Sequence, residues 1–416
     1  MALTFSTALS GLRASSNAMS VTGNNIANAN TVGYKESDTS FSDVYFNHIG
    51  SLQIGNGVRT TSTPTNFAQG TLDDSASPLS AAIQGAGFFV VRDGAGVQTY
   101  TRAGDFTLDR DGFLVTPTGD KVQGYAAING VIPPGAAISS IQVPIGETVS
   151  PQVTSQVTLR MNLNAADAAG SEFHAPVQVY DSKGATHTLD LIFTKQTDGS
   201  YLMNATVDGN AAQASADGSA AQAAPVAFTF DSNGLLLTPA TSLAIIPDQT
   251  QLGGATLPSI NINLRQTNPD GTPGAPNFTN FSTLSAVSST SQDGYGTGAL
   301  SGLSFSERRD GTLYAVFSNG QTRPIAQLAL ATFNSQNGLK RLGNNLYAET
   351  LASGPPSIGA GSSGGRGDVV GNALEQSNVD LASEFTDLMV AQRSFQANSR
   401  VITTINQTLQ ELLQII

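Results

Sequence analysis

Few side chains in this sequence are spaced as a metal-binding site requires. The three histidines, His48, His174 and His187, show no ligand spacing, and only the last two could approach each other, if their strands pair. A zinc site takes its ligands from histidine, cysteine and carboxylate side chains held at short, fixed distances. We therefore expect ordinary strand or surface histidines and no bound metal.

Nucleophilic catalysis has equally little support. Cysteine is absent, which excludes disulfides, thiol nucleophiles and thiolate metal sites together. No Ser/His/Asp or paired-carboxylate arrangement stands out, although residues that converge only in three dimensions could still form one. We expect no catalytic residue, no cofactor and no enzyme activity.

Three short motifs each allow a functional and a purely structural interpretation. Asp109-Arg110-Asp111-Gly112 resembles the start of a calcium loop but lacks the later bidentate glutamate, which favours a hairpin turn. Residues 85–87 (Gly-Ala-Gly) precede an apolar strand and so lack the helix N-terminus that binds phosphate. Arg366-Gly367-Asp368 matches an adhesion tripeptide, yet its glycine-rich surroundings favour a flexible connector.

The strongest pattern is a helical seam at each end of the chain, in which apolar residues alternate at spacings of four and three. The N-terminal seam contains Phe5, Leu9, Leu12, Met19 and Ile26. The C-terminal seam contains Leu381, Phe385, Leu388, Phe395, Ile402, Leu409 and Leu413. Apolar side chains that repeat about every 3.5 residues cannot bury themselves within one helix. We therefore predict that these twelve residues form an assembly interface.

Small or polar residues interrupt both seams, and we predict that they set the register. They are Ser16, Gly23, Gln392, Ser399 and Asn406. Such residues trade stability for register and oligomer choice. The two helices could pair within one chain and simply close a monomer. However, the C-terminal seam is longer by several turns, and each buried Leu, Ile or Phe contributes about 1.5–3 kcal/mol. Self-association through both helices is therefore favoured.

Composition narrows the possible partners. With 12% charged residues, a net charge of -12 and no basic cluster, neither nucleic acid nor an anionic membrane surface is expected. The N-terminus lacks the basic and apolar regions of a cleavable signal peptide, and no stretch approaches the roughly 18 apolar residues of a spanning helix. If the protein leaves the cytoplasm, the general secretory route is not indicated.

Between the seams, Asp-Gly and Asn-Gly dipeptides near β-prone runs indicate hairpins. We predict a mixed, mainly β fold, with antiparallel β domains nested between N- and C-terminal α-helices that form a coiled-coil-like core. The predicted segments are an N-terminal helix (1–33), an extended connector (34–75), an inner β domain (76–147 and 289–352), an inserted outer β domain (148–288), a Gly/Ser-rich connector (353–376) and a C-terminal helix (377–416).

Seven segments resemble one family, the bacterial flagellar axial proteins of the rod and hook. They are residues 8–12, 23–35, 67–72, 83–89, 100–106, 377–381 and 391–398. Residues 177–184, 191–193, 317–321, 333–334 and 343–347 resemble the hook pattern within that family. Hook is the first interpretation and distal rod the alternative. A secreted adhesin is a further alternative, motivated by the helical ends and the tripeptide at 366–368.

The resemblance implies a homopolymer that forms a hollow, curved tube and acts as a universal joint, transmitting torque from rod to filament. It implies that the terminal helices line the tube and that the inserted domain lies outside. The implied partners are the hook cap, distal rod and hook-filament junction proteins and the flagellar type III export apparatus. The implied location is the extracellular hook. Phe5 and Leu9 resemble an export element, although both are equally compatible with being seam positions alone.

Overall fold

The computed structural model describes residues 2–44, 47–49, 52–216, 225–240, 242–267 and 273–415, without the side chains of 2–4, 47–49, 52–54, 267, 273 and 412–415. The chain forms two compact units. The first contains Met1–Ile145, Gly302–Val316 and Thr322–Ile416, and the second contains Gly146–Ser301 and Phe317–Gln321. The second unit is thus an insertion in the sequence of the first.

The described residues include two α-helices, which belong to the first unit. They are α1, Ala2–Ala27, and α2, Leu381–Ile415. The helices pack antiparallel, because Asn25 contacts Glu384 near one end and Gly11 faces Asn398 farther along. The prediction of a mainly β chain with two packed terminal helices is confirmed. Neither helix combines the length and hydrophobicity that would let it cross a membrane.

The start of α2 is fixed by Asp380. Its Oδ1 accepts a hydrogen bond from the backbone amide of Ala382 at 2.8 Å, which satisfies one of the free amides of the first turn. Glu384 follows within that turn, where the helix dipole favours a carboxylate.

The β part of the first unit contains one large sheet and several small strand pairs. Its strands are Ser40–Asp43, Asn47–Ile49, Leu52–Ile54, Val58–Ser62, Leu72–Asp74, Ala81–Gln84, Phe88–Arg92, Gln98–Thr101, Thr107–Leu108, Leu114–Val115, Lys121–Ala126, Ile138–Ser140, Thr312–Phe317 (its last residue in the second unit), Thr322–Thr332, Lys340–Gly343, Leu346–Ala348, Ser357–Ala360, Asp368–Gly371 and Ala373–Glu375. A short 3₁₀ helix spans Gln336–Gly338. The β part of the first unit has an aromatic core cluster. Phe88, Tyr100 and Tyr347 are buried at its centre, and Phe67 and Phe333 pack against them.

Both ranges predicted as connectors contain strands. In 34–75, Ser40–Asp43 pairs antiparallel with Val58–Ser62. In 353–376, Asp368–Gly371 pairs with Ala81–Gln84. Glycine and serine have low strand propensity, but an available strand edge in the tertiary structure outweighs that preference.

The second unit is a β domain with its own core. Its strands are Thr148–Val149, Gln156–Asn162, Glu172–Tyr180, Thr186–Lys195, Tyr201–Val207, Asn210–Ala216, Val226–Phe230, Leu236–Thr238, Ser242–Ile246, Ile260–Asn263, Arg265–Thr267, Pro273–Pro276, Phe278–Thr279, Ala286–Gln292 and Gly298–Phe305, the last ending in the first unit, with a 3₁₀ helix at Gln249–Gln251. Most pairs are antiparallel, and alternate side chains face the core. Asp208 and Gly209, both at positive φ, turn one hairpin as predicted.

Candidate assembly surface

Among the described residues, the buried apolar side chains of α1 and α2 are small. Ala8, Ala14 and Ser15 of α1 are buried, and so is Ala391 of α2. A Cβ atom at Gly11 would lie 2.8 Å from the side-chain amide of Asn398, which shows how closely the helices approach. Small side chains permit such close packing, but they bury little apolar surface.

The predicted seam residues that the structure describes are either exposed or half-buried. Phe5 is 40% exposed, Leu381 43%, Phe385 53% and Leu409 37%. The other predicted seam residues are half-buried, namely Leu9, Leu12, Met19, Ile26, Leu388, Phe395 and Ile402. The side chain of Leu413 lies outside the described residues. Of the predicted register residues, Ser399 is half-buried and the others are exposed, namely Ser16, Gly23, Gln392 and Asn406.

On α2, one run of apolar residues is especially open. Leu381, Phe385 and Met389 follow one another at intervals of four, so they share a face, and Met389 is 54% exposed. We call these three residues the α2 stripe. The buried residue Ala391 and Asn398 lie on a different face of α2, toward α1, and about half of each side chain of the α2 stripe remains exposed.

The base of the helix pair is held by a buried amide. Asn25, only 2% exposed, donates from Nδ2 to Glu384 Oε1 and to the Ser37 carbonyl, each at 2.8 Å. Its Oδ1 accepts from the Ser37 amide at 3.0 Å and from the Tyr34 hydroxyl at 3.1 Å. One side chain therefore joins α1 to α2 and to the segment that follows α1.

A buried ion cluster ties that segment to the strand leading into α2. Lys35 Nζ lies 2.6 Å from Glu375 Oε1, and Arg102 lies 3.3 Å from Glu375 Oε2, all three side chains being at most 2% exposed. Lys35 also donates to the carbonyl of Ala68 at 2.7 Å. Burial lowers the pKa of Lys35 and of Arg102, and Glu375 opposes that shift in both. Removing Glu375 would leave two buried positive charges without a counter-charge.

The residues of the Asn25 hydrogen-bond cluster and of the buried ion cluster were not predicted as site residues. Asn25, Lys35 and Arg102 lie in segments that carry the family resemblance, whereas Glu375 does not. Nothing in the local sequence around Glu375 indicates a partner 340 residues away. The small-residue helix contact was also missed, because glycine, alanine and serine give almost no hydrophobic signal.

The other candidate sites have structural roles. His174 and His187 lie on paired strands but bond separately, His174 to Asp190 and His187 to Asp181 and Asp208. The two carboxylates at His187 lie on opposite ring nitrogens and do not converge. No group of His, Asp or Glu among the described residues could hold a metal ion, and the side chain of His48 lies outside that part of the chain.

The Asp109–Gly112 motif is a turn. Asp109 Oδ1 accepts from the amides of Asp111 and Phe113, at 2.9 and 2.7 Å, so the carboxylate closes a turn, as the structural interpretation predicted. Residues 366–368, for which a flexible connector was favoured, lead into a strand. Asp368 begins a strand and accepts from the Ser362 hydroxyl at 2.6 Å, while Arg366 Nε donates to the carbonyl of Ala360, the last residue of the preceding strand, at 3.1 Å. The charged groups of an adhesion tripeptide are therefore engaged locally.

Comparison with known proteins gives matches at both ends of the chain and in the β region between them. Four family models match the chain: Flagella basal body rod protein (5–35), Flagellar hook protein FlgE/F/G D1 domain (82–157), Flagellar basal body protein FlaE D2 domain (149–295) and Flagellar basal body rod FlgEFG protein C-terminal (370–415). The flagellar hook protein FlgE of Borreliella burgdorferi is 32% identical, covering 98% of both chains. The chain belongs to the flagellar hook protein family.

Two further hook proteins show the same full-length similarity. FlgE of Salmonella typhimurium is 32% identical and FlgE of Escherichia coli 31%, each match covering 99% of this chain and 100% of the relative. The relatives carry the name of the hook and not of the rod or of an adhesin. The chain is thus a structural subunit of the bacterial flagellar hook, and it is not an enzyme.

Proposed function

We propose that this hook subunit polymerises through its helix pair into a hollow, curved tube that transmits torque from rod to filament while it bends. The observation that carries the proposal is the exposed α2 stripe. The buried apolar side chains of α1 and α2 are small, and about half of each side chain of the α2 stripe is exposed and available to other copies.

The energetics favour covering this surface. Burying a Leu, Phe or Met side chain contributes about 1.5–3 kcal/mol relative to leaving it in water. The α2 stripe holds three such residues, and a polymer repeats the same contact at every subunit. In this proposal Ser16, Gly23, Gln392, Ser399 and Asn406 set the register between neighbouring helices.

We infer a division of labour along the chain. The helices hold the polymer together and resist twist, whereas the inserted outer domain, residues 148–288, makes small polar contacts that slide as the tube bends. The low content of charged residues is compatible with such weak contacts. Deletion of 148–288 should leave a chain that still assembles but forms a straighter tube. Loss of polymerisation on this deletion would contradict the division.

The remaining proposals concern location and partners. Membership of the family implies assembly with other flagellar components. We propose that these are the hook cap, the distal rod protein, the hook-filament junction proteins and the type III export apparatus, and that the tube is extracellular. Phe5 and Leu9 serve as an export element before assembly. A secretion assay of Leu9→Asp, compared with polymerisation of the same purified variant, separates export from packing.

Polymerisation of purified variants tests the central proposal. Phe385→Asp places a charge in the α2 stripe, and we expect it to remain folded but to lose polymer in sedimentation and electron microscopy, since an unpaired buried charge is strongly unfavourable. Leu351→Asp is the matched control, because Leu351 is fully exposed outside the helices. Tubes of Phe385→Asp in normal yield would overturn the proposal.

A further inference from the structure

A groove in the first unit has a partly apolar lining and a negative charge. It has a volume of about 490 Å³ and lies between the two helices and the segments around Phe41 and Val58. Small apolar side chains of both helices line it, together with the carboxylates of Asp38, Glu384 and Asp387. The groove could therefore receive a side chain that combines an apolar stem with a positive charge.

The carboxylates of the groove lack a counter-charge. Among the described residues, none of the ion pairs involves Asp38, Glu384 or Asp387. Glu384 accepts its hydrogen bond from the neutral amide of Asn25. Burial raises the pKa of Glu384 against the lowering effect of Asn25, and the nearby carboxylates of Glu36, Asp387 and Asp38 raise it further. Three carboxylates thus repel one another at one end of the helix pair.

The same helix pair carries positive charge without a partner. Arg393 and Arg400 are exposed, and within the described part of the chain neither side chain forms an ion pair. They lie seven residues apart and so share a face of α2. That face points away from α1, because Ala391 and Asn398, each two residues earlier, lie toward α1.

Pairing within one helix does not bring these charges together. Asp387 and Arg393 are six residues apart, and only residues three or four apart face each other on a helix. The acidic groove and the arginine face are two different patches of one molecule. Contacts between different patches of identical chains are head-to-tail, which is the kind of contact that builds helical polymers.

We propose that the acidic groove of one copy receives the Arg393–Arg400 face of α2 from a second copy. The arginine stem would cover the small apolar residues, and the guanidinium would form charge-assisted hydrogen bonds with the carboxylates. Because opposite charges attract at a distance and like charges are excluded, this pairing sets register and association rate. The inference deepens the proposed self-assembly and rests on it.

A charge swap tests the pairing. Asp387→Arg and Arg393→Glu each place like charges across the contact, and we expect each to raise the critical concentration for polymerisation about tenfold at low salt. The double variant restores opposite charges with reversed polarity and should return to within about twofold of the wild type. At roughly 0.5 M salt the single variants should approach the wild type, because screening shortens charge interactions to a few ångströms.

Controls separate this contact from general effects. Glu147→Arg makes the same charge change at an exposed position of the second unit and should leave polymerisation unchanged. Circular dichroism confirms that each variant folds. Single reversals that polymerise like the wild type, or a double variant worse than both singles, overturn the pairing while self-assembly stands. A wild type that forms no polymer at any salt contradicts both this pairing and the proposed function.

Discussion

The helix pair and the inserted β unit differ in how far they bury their large apolar side chains. In the second unit, Phe193, Phe228 and Phe278 are fully buried and their rings contact one another, so this core is closed within one chain. In the helix pair, small residues form the contact and Phe385 remains 53% exposed. The β unit thus has a closed core of its own, and the exposed face of the helices is what the proposed assembly would cover.

The largest difference in stability should be between truncation of a buried phenylalanine in the second unit and truncation of the exposed Phe385 in α2. Phe193→Ala should lower the free energy of unfolding of the second unit by about 3–5 kcal/mol, because it removes buried surface and leaves a cavity. Phe385→Ala should change the stability of the monomer by no more than about 0.5 kcal/mol, as for most surface substitutions. Denaturant unfolding of the two variants measures both values. Equal losses would show that Phe385 is buried within its own chain and would remove the contrast.

A smaller loss of stability should follow from a larger side chain placed between α1 and α2. Gly11→Val should destabilise the α1–α2 packing by about 1–3 kcal/mol, because its side chain would enter the space of Asn398. Gly23→Ala is the matched control, since nothing lies within 4 Å of a Cβ there, and it should stabilise α1 by about 1 kcal/mol. Hydrogen exchange of the helix amides measures both. If Gly11→Val leaves exchange unchanged, the close contact is not what holds the pair.

The smallest effect should be a pH dependence of the same packing. The pKa of Glu384 is raised in the folded chain, chiefly by burial. The stability that it contributes is therefore fully present below its unfolded pKa of about 4.5 and is lost as the pH rises through the folded value. Glu384→Gln retains an acceptor for Asn25 and should reduce this dependence. Unfolding of wild type and variant from pH 4 upward provides the comparison, and parallel curves would contradict it.

Sequence reasoning identified the parts of the fold that leave a periodic signal. The seams predicted both terminal helices, and Asp-Gly turns such as Asp208-Gly209 predicted hairpins. The residues at which α1 approaches α2 were not predicted, because small residues such as Gly11 and Ala14 add little to the hydrophobic periodicity of the sequence. The ion cluster was not predicted either, because Lys35 and Glu375 are 340 positions apart in the sequence. The strand at Asp368–Gly371 depends on a neighbouring edge, which composition does not reveal.

Solvent protection of α2 in the polymer tests the central claim most directly. The chain has no cysteine, so Met389→Cys and Leu351→Cys each introduce a single thiol, at a position 54% exposed in the α2 stripe or fully exposed outside the helices. Both thiols should react readily in the monomer. In the polymer, we expect labelling of Met389→Cys to slow by about tenfold or more, because a packed interface excludes water and reagent. Labelling of Met389→Cys at the same rate in polymer and monomer would contradict assembly through the helix pair.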